Sequence, residues 1–178
     1  MPADAGMTSL NRLLPAALGL TLLLAASPAP AGVQGRVVSV HDGDTLTVLI
    51  DNRQVRVRLV DIDAPELKQP FGTRSRQSLS SLCVGKVASL DVRGHDRYNR
   101  TLARVTCGGA DANAEQVRRG YAWTFTRYAR ADSPLFAIER EARAAHRGLW
   151  QDPAPVAPWE WRNSLRQSSR TSSVRSGS

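Results

Sequence analysis

The alternation of apolar and polar positions divides residues 35–107 into five runs of strand character. "GRVVSV" (35–40) is β-branched and ends at "HDGD", where Asp-Gly marks a turn. "TLTVLI" (45–50) is rich in Thr and β-branched residues. "DNR" then turns the chain into "QVRVRLV" (54–60). There Val55, Val57 and Leu59 alternate with Arg56 and Arg58, so both arginines leave the face opposite the apolar one. Three strands joined by tight turns predict a meander. The spacing of Leu79 and Leu82 predicts a helix over 72–83. "KVASLDVRG" (86–94) and "RTLARVTC" (100–107) are the fourth and fifth strands, joined by "HDRYN".

The pattern then becomes helical. "NAEQVRRG" (113–120) predicts a short helix, capped by Asp111 or Asn113 and closed by Gly120. "SPLFAIEREARAAHRG" (133–148) is the best-marked helix: Ser133 as N-cap, Pro134 in the first position, Gly148 as stop, and His146 in the last turn. Its apolar stripe of Leu135, Ile138, Ala142, Ala145 and Leu149 reads as core. "DPAPVAPWEWR" (152–162) is proline-rich and reads as extended, with Trp159 and Trp161 covering an apolar edge. Residues 163–178, mostly Ser, Arg and Gly, read as a disordered tail. Five short strands interrupted by one helix fit an α+β architecture: a five-stranded Greek-key barrel of the OB type, packed with three helices.

The N-terminus changes the picture of where this barrel works. Arg12 precedes an apolar run at 13–26, too short to span a bilayer comfortably. Ala29 and Ala31 supply a small-residue cleavage pattern, so residues 1–31 read as a signal peptide and 32–162 as the domain. Met7 is an alternative start, and a retained anchor is the alternative fate of the segment. Cleavage would leave a secreted or periplasmic protein with no membrane attachment. In such an oxidising compartment Cys83 and Cys107 are expected to pair. The loop-closure model gives such a bond roughly 3 kcal/mol of stabilisation.

Charge narrows the partner. The 178 residues carry 24 Lys+Arg against 16 Asp+Glu, formally +8, and only Lys68 and Lys86 are lysines. Arginine presents a planar fork that matches phosphate, so a polyanion is the expected partner. Composition alone leaves a merely solvated basic surface open.

The acids supply candidate chemistry. Asp44 ends the first turn, and Asp63 and Glu66 follow the third strand in "RLVDIDAPE". In a meander the start of strand two lies beside the end of strand three, which brings Asp44 towards Asp63. Two carboxylates with backbone carbonyls and water make a hard oxygen site that suits calcium, with magnesium or manganese as lesser candidates. Taken alone, Asp42 and Asp44 read as ordinary turn residues. Arg58 and Arg100 could stabilise a phosphodiester under attack, and Glu66 could activate water. His41 and His95 read as ordinary polar turn residues, and Asp61 has no assigned role in this chemistry.

Together "HDGDTLTV", "RLVDIDAPE", "HDRYNRTLARV", "NAEQVRRGYAW" and "GLW" resemble the staphylococcal nuclease family, over roughly residues 35–150. The resemblance implies an OB-fold barrel and a calcium-dependent nuclease acting on DNA and RNA, leaving 5′-hydroxyl and 3′-phosphate ends. It implies metal ligation by Asp44, Asp63 and the backbone carbonyl of Ala64, and catalytic roles for Arg58, Glu66 and Arg100. It implies phosphate contacts from Arg97 and Tyr98 and a nucleotide contact from Tyr128. Ala64 stands where the best-known member has a threonine, and two further positions depart from the family pattern. Asn99 stands where a turn glycine is usual, and Thr126 stands where a tyrosine is usual. No stable protein partner is implied, and a monomer is the default expectation. The rival reading is a catalytically silent OB module that only binds single-stranded nucleic acid.

Overall fold

A computed structural model describes residues 32–175, with side chains through 169. The expected signal peptide, 1–31, lies outside the described residues. The meander forms as β1 (Val33–Val40), β2 (Thr45–Ile50) and β3 (Arg53–Leu59). Helix α1 is Gly72–Cys83, as its leucine spacing implies. A two-residue strand β4 (Ile62–Asp63) precedes α1, and β5 (Val87–His95) and β6 (Thr101–Cys107) follow it. The strands run in the order β3-β2-β1-β5-β6, and a parallel pairing of β3 with β6 closes them into a five-stranded barrel. Along β6, Thr101, Ala103, Val105 and Cys107 point inward, meeting Val37, Leu46, Val48, Val57, Leu59 and Leu90 in the core.

Three short strands, β4 and two more, were not legible in the pattern, because two residues carry no periodicity. β7 (Ala110–Asp111) extends β6, and β8 (Trp123–Thr124) pairs with β4. Helix α2 (Ala112–Arg118) uses Asp111 as its cap: the carboxylate accepts from the Ala114 N–H at 3.1 Å. Asn113, the other candidate cap, is buried and joins two strand ends instead. It accepts from the Val105 N–H at 3.0 Å and donates to the Val60 carbonyl at 2.7 Å. The expected bond between Cys83 and Cys107 is present and ties the end of α1 to the end of β6.

The C-terminal third differs from the elements expected of it. Helix α3 spans Leu135–Ala144, shorter than the expected 133–148. His146 adopts a left-handed backbone (φ 49°) just past it and does not belong to its last turn. Ala145 is exposed, while Leu135 and Ala142 are buried. Leu149 is buried from a separate 3-10 turn, Gly148–Gln151. The segment read as extended and then disordered is instead helical over Pro158–Arg175, making a fourth helix, α4. Pro158 stands in its first turn, where a missing N–H costs nothing. Among the described residues no helix is long and apolar enough to cross a membrane.

An aromatic cluster fastens α4 to the barrel. Trp159 stacks on Phe125 at 5.3 Å and meets Trp123 edge-on at 5.7 Å. Trp123 and Trp150 meet at 4.4 Å, with the Arg143 guanidinium 3.8 Å from the Trp150 ring centroid. The tryptophans thus cover an apolar edge, as the sequence suggests, but from a helix.

Candidate active site

Strand register gathers the candidate residues at one end of the barrel. Thr45 opens β2 opposite Arg58 near the end of β3, and Arg58 lies beside Leu102 near the start of β6. Asp44, Arg58 and Arg100 therefore share that end.

The turn carrying Asp44 is built from the inside. Asp42 accepts from the Asp44 N–H at 3.0 Å, which is the turn chemistry its Asp-Gly context suggests. Gly43 has no room for a side chain: a Cβ there would lie 1.8 Å from Ser75 Oγ and 2.6 Å from the Ala64 Cβ. Gln116 donates to the Gly43 carbonyl at 2.7 Å, and the Asp44 carbonyl accepts from the Leu59 N–H at 2.8 Å. Asp44 is left 5% exposed, with Oδ1 accepting from Thr45 Oγ1 at 3.1 Å and Oδ2 from the Ala64 N–H at 2.7 Å.

Asp63 arrives from β4, 2% exposed. The reversal that delivers it turns on Asp61, whose left-handed backbone (φ 63°) Asp tolerates. Asp61 has no part in the acid cluster, and its carbonyl accepts from the Phe125 N–H at 2.8 Å. One Arg58 nitrogen, Nη2, lies 3.1 Å from Asp44 Oδ2 and 3.0 Å from Asp63 Oδ1. Its other nitrogen donates to the backbone carbonyls of Leu59 and Ile62. Burial pushes the Asp44 carboxyl up to about 8. Arg58 and the Ala64 N–H oppose that rise, while Asp42 and Asp63 reinforce it.

The Glu66 loop is pinned from two sides. A Cβ on Gly72 would lie 1.9 Å from the Glu66 carbonyl oxygen, so only glycine allows that approach. Gln69 accepts from the Glu66 N–H at 3.2 Å and donates to the Val156 carbonyl at 2.7 Å. The Glu66 side chain remains 43% exposed and receives Arg162 Nη1 at 2.8 Å. Arg162 also grips Asp63, at 2.6 Å to Oδ2 and 3.3 Å to Oδ1. Sequence reasoning treated Arg162 only as the end of the domain. Its partners lie 96 and 99 residues away, so no local pattern pointed to them.

Beside these acids an open cleft of about 250 Å³ is lined by Asp42, Thr45, Arg56, Tyr98 and Arg100. Arg100 Nε donates to Asp96 Oδ2 at 2.7 Å. Burial pushes Asp96 up, but the Arg100 backbone N–H, its guanidinium and the Tyr98 N–H outweigh it and hold the carboxyl below its ordinary value. Asn99 takes the left-handed conformation (φ 58°) that lets it replace a turn glycine. Arg97 donates to the Tyr98 hydroxyl at 2.7 Å and lies 4.8 Å from that ring's centroid. Arg56 was legible only as sharing a strand face with Arg58. Burial and then Arg56 lower the pKa of His41, whose Nε2 lies 2.8 Å from Thr47 Oγ1. Tyr128 is not among the cleft-lining residues: it is 67% exposed and packs edge-on to Phe125 at 5.1 Å.

Comparison with known proteins places the chain in a family. A family model described as "Staphylococcal nuclease homologue" matches residues 56–152. The chain is 44% identical over 160 residues to "Protein ParB" of Escherichia coli, covering 84% of this chain and 90% of that protein. It is 38% identical over 170 residues to "Micrococcal nuclease" of Shigella flexneri, covering 90% and 98%. The chain belongs to the staphylococcal nuclease family. A further member, an "Uncharacterized endonuclease" of Escherichia coli O157:H7, is 44% identical over 134 residues, 75% of this chain and 87% of its own. Within this staphylococcal nuclease homologue the barrel brings Asp44, Asp63 and Arg58 into contact, and places Arg100 and Tyr98 in the neighbouring cleft. For Ala64, the expected carbonyl ligand, the visible contact is its N–H to Asp44. Among the described residues no three His, Cys, Asp or Glu side chains converge to hold a metal. A cation here would need oxygens from backbone or water in addition to the two aspartates.

Proposed function

We propose that this staphylococcal nuclease homologue is an exported, calcium-dependent endonuclease that hydrolyses DNA and RNA with low sequence specificity, leaving 5′-hydroxyl and 3′-phosphate ends. One observation carries the reading: two buried carboxylates converge on a single guanidinium beside a cleft lined by arginines. The donors fit a hard divalent cation, being buried carboxylate oxygens, one of them fixed by the Ala64 N–H. Burial that opposes ionisation of Asp44 is also what such a cation would relieve. Asp44, Asp63 and the Ala64 carbonyl would hold it, with calcium favoured over magnesium or manganese. Bound there, the cation supplies positive charge beside the reacting phosphate.

The protein's own groups account for the remaining steps. Arg100 and Arg56 bind phosphate at the cleft, and Arg97 with Tyr98 holds the neighbouring nucleotide. Glu66 takes the proton of the attacking water as its oxygen bonds to phosphorus. Arg58 and Arg100 stabilise the charge that builds on the five-coordinate phosphoryl group. The phosphorus–O5′ bond then breaks, and the leaving oxygen acquires a proton from solvent. Low sequence specificity follows because these residues address phosphate and ring faces, which all nucleotides share. Tyr128 has no part in this reading.

The test is to incubate the purified exported chain with plasmid DNA and with single-stranded RNA, in calcium and in excess chelator. Cleavage in calcium that stops in chelator is expected. Binding without cleavage would instead establish the silent OB module.

A further inference from the structure

The guanidinium of Arg162 reaches the two acids from the C-terminal part of the chain. It lies beyond residues 56–152, on helix α4. Its two terminal nitrogens reach both oxygens of Asp63 and one oxygen of Glu66. Asp63 Oδ1 already receives Arg58 at 3.0 Å. Both oxygens of the nearly fully buried Asp63 are therefore taken by cationic donors. Those contacts are the ones a divalent cation would need.

The surrounding structure makes this placement firm. Trp159, three residues before Arg162, is wedged against Trp123 and Phe125. Trp161 lines a small apolar groove with Pro65, Phe71 and Val156. Gln69 ties the same C-terminal segment to the Glu66 backbone. The C-terminal segment thus holds the Glu66 loop at two points, through Val156 just before α4 and through Arg162 within it. Burial of Arg162 would lower its pKa, but Asp63 and Glu66 more than reverse this and keep it charged throughout the working range.

We propose that Arg162 is a positioning residue that competes with the metal. In the cation-free protein it neutralises Asp63 and Glu66 and fixes the Glu66 carboxylate. A divalent cation binds only as the guanidinium gives up Asp63. The hold on Glu66, which does not depend on Asp63, then keeps that carboxylate oriented. The inference rests on the metal reading of Asp44 and Asp63. It predicts that helix α4 and cation binding are coupled, so the C-terminal segment sets how much calcium the site requires.

The experiment is a calorimetric titration of the full exported chain with calcium chloride, comparing wild type with R162Q, R162K and R166Q. R162Q removes the competitor and is expected to bind calcium on the order of tenfold more tightly, the size of one charge-assisted contact no longer broken. R162K keeps the charge but lacks the fork that spans both Asp63 oxygens, and should fall between the two. R166Q removes the same charge one helical turn along, where the arginine contacts Asn163 and neither acid, and should stay within about twofold of wild type. Thermal unfolding supplies a second readout. R162Q should be less stable than wild type in chelator, and calcium should restore most of the difference. A merely structural arginine would lower both unfolding temperatures equally. Wild type and R162Q binding calcium with equal affinity would overturn the competition while leaving the metal site intact. A shift in R166Q matching that of R162Q would overturn the specific contact in favour of general charge. If wild type binds no calcium, the metal reading fails and this inference with it.

Discussion

The acidic floor of the site and the basic rim of its cleft are built on opposite plans. On the floor, Asp44 and Asp63 are buried and fixed by the Ala64 N–H, the Thr45 hydroxyl and the Arg58 guanidinium that they share, with Arg162 also on Asp63. At the rim, Tyr98 is 66% exposed, and Arg97 rests on its ring in solvent. The floor must be rigid because two neighbouring buried carboxylates can both ionise only when counter-charge is fixed beside them. The rim meets a flexible, repetitive polymer, so exposed and adaptable groups suffice. The contrast teaches where substitution should be catastrophic and where it should only weaken binding.

The largest break is Asp63→Asn. It removes one half of the floor and leaves Arg58 and Arg162 with diminished counter-charge. Cleavage should fall roughly a thousandfold or more, measured as turnover on plasmid DNA in saturating calcium. Retained turnover would mean that the floor is not the reacting centre.

Glu66→Gln should sharpen the contrast from within. Glu66 is more exposed than either aspartate and is assigned the proton, not the cation. Turnover should drop on the order of a hundredfold while calcium affinity measured by calorimetry stays close to wild type. Equal activity would assign the water's proton to another group.

pH separates floor from rim next. Without cation, Asp44 has its carboxyl raised from 3.8 to about 8 by burial, so its contribution to stability is complete below the lower value and lost as pH rises through the upper one. Calcium takes the ionised form, which reverses the sign: its affinity should climb about tenfold per unit of pH below 8 and level off above it. Asp96 at the rim behaves oppositely. Its carboxyl is held low, so the stability it adds is present above the ordinary carboxylate value and is lost as pH falls through its folded value. Calcium titrations between pH 6 and 9, with unfolding followed in parallel, check both directions.

Much of the barrel was legible because its signals are local. Asp-Gly and Asp-Asn turns separate β-branched runs, and the hairpin register that follows from them already placed Asp44 near Asp63. Helix α1 could be read from two leucines and its flanking residues. Helix α4 was misread because Pro153, Pro155 and Pro158 together suggest an extended chain. The last of them instead opens a helix, which the packing of Trp159 then secures. Arg162 was invisible for a related reason: its meaning depends on partners brought together only by folding. The fifth-strand turn was readable down to Asn99, since its tolerance of left-handed geometry is intrinsic to the residue. That the Tyr128 ring packs edge-on to Phe125 was not legible from its motif position.

The smallest expected effect belongs to the rim. Tyr98→Ala should raise KM several-fold and leave stability within about 0.5 kcal/mol of wild type. A collapse of turnover would show that the rim belongs to the rigid centre after all.

The most direct test of the account is a crystal structure of the exported protein grown with calcium. One cation is expected between the carboxylates of Asp44 and Asp63, with the Arg162 guanidinium withdrawn from Asp63. Both arginines still seated on the aspartates, with calcium bound elsewhere or not at all, would contradict it.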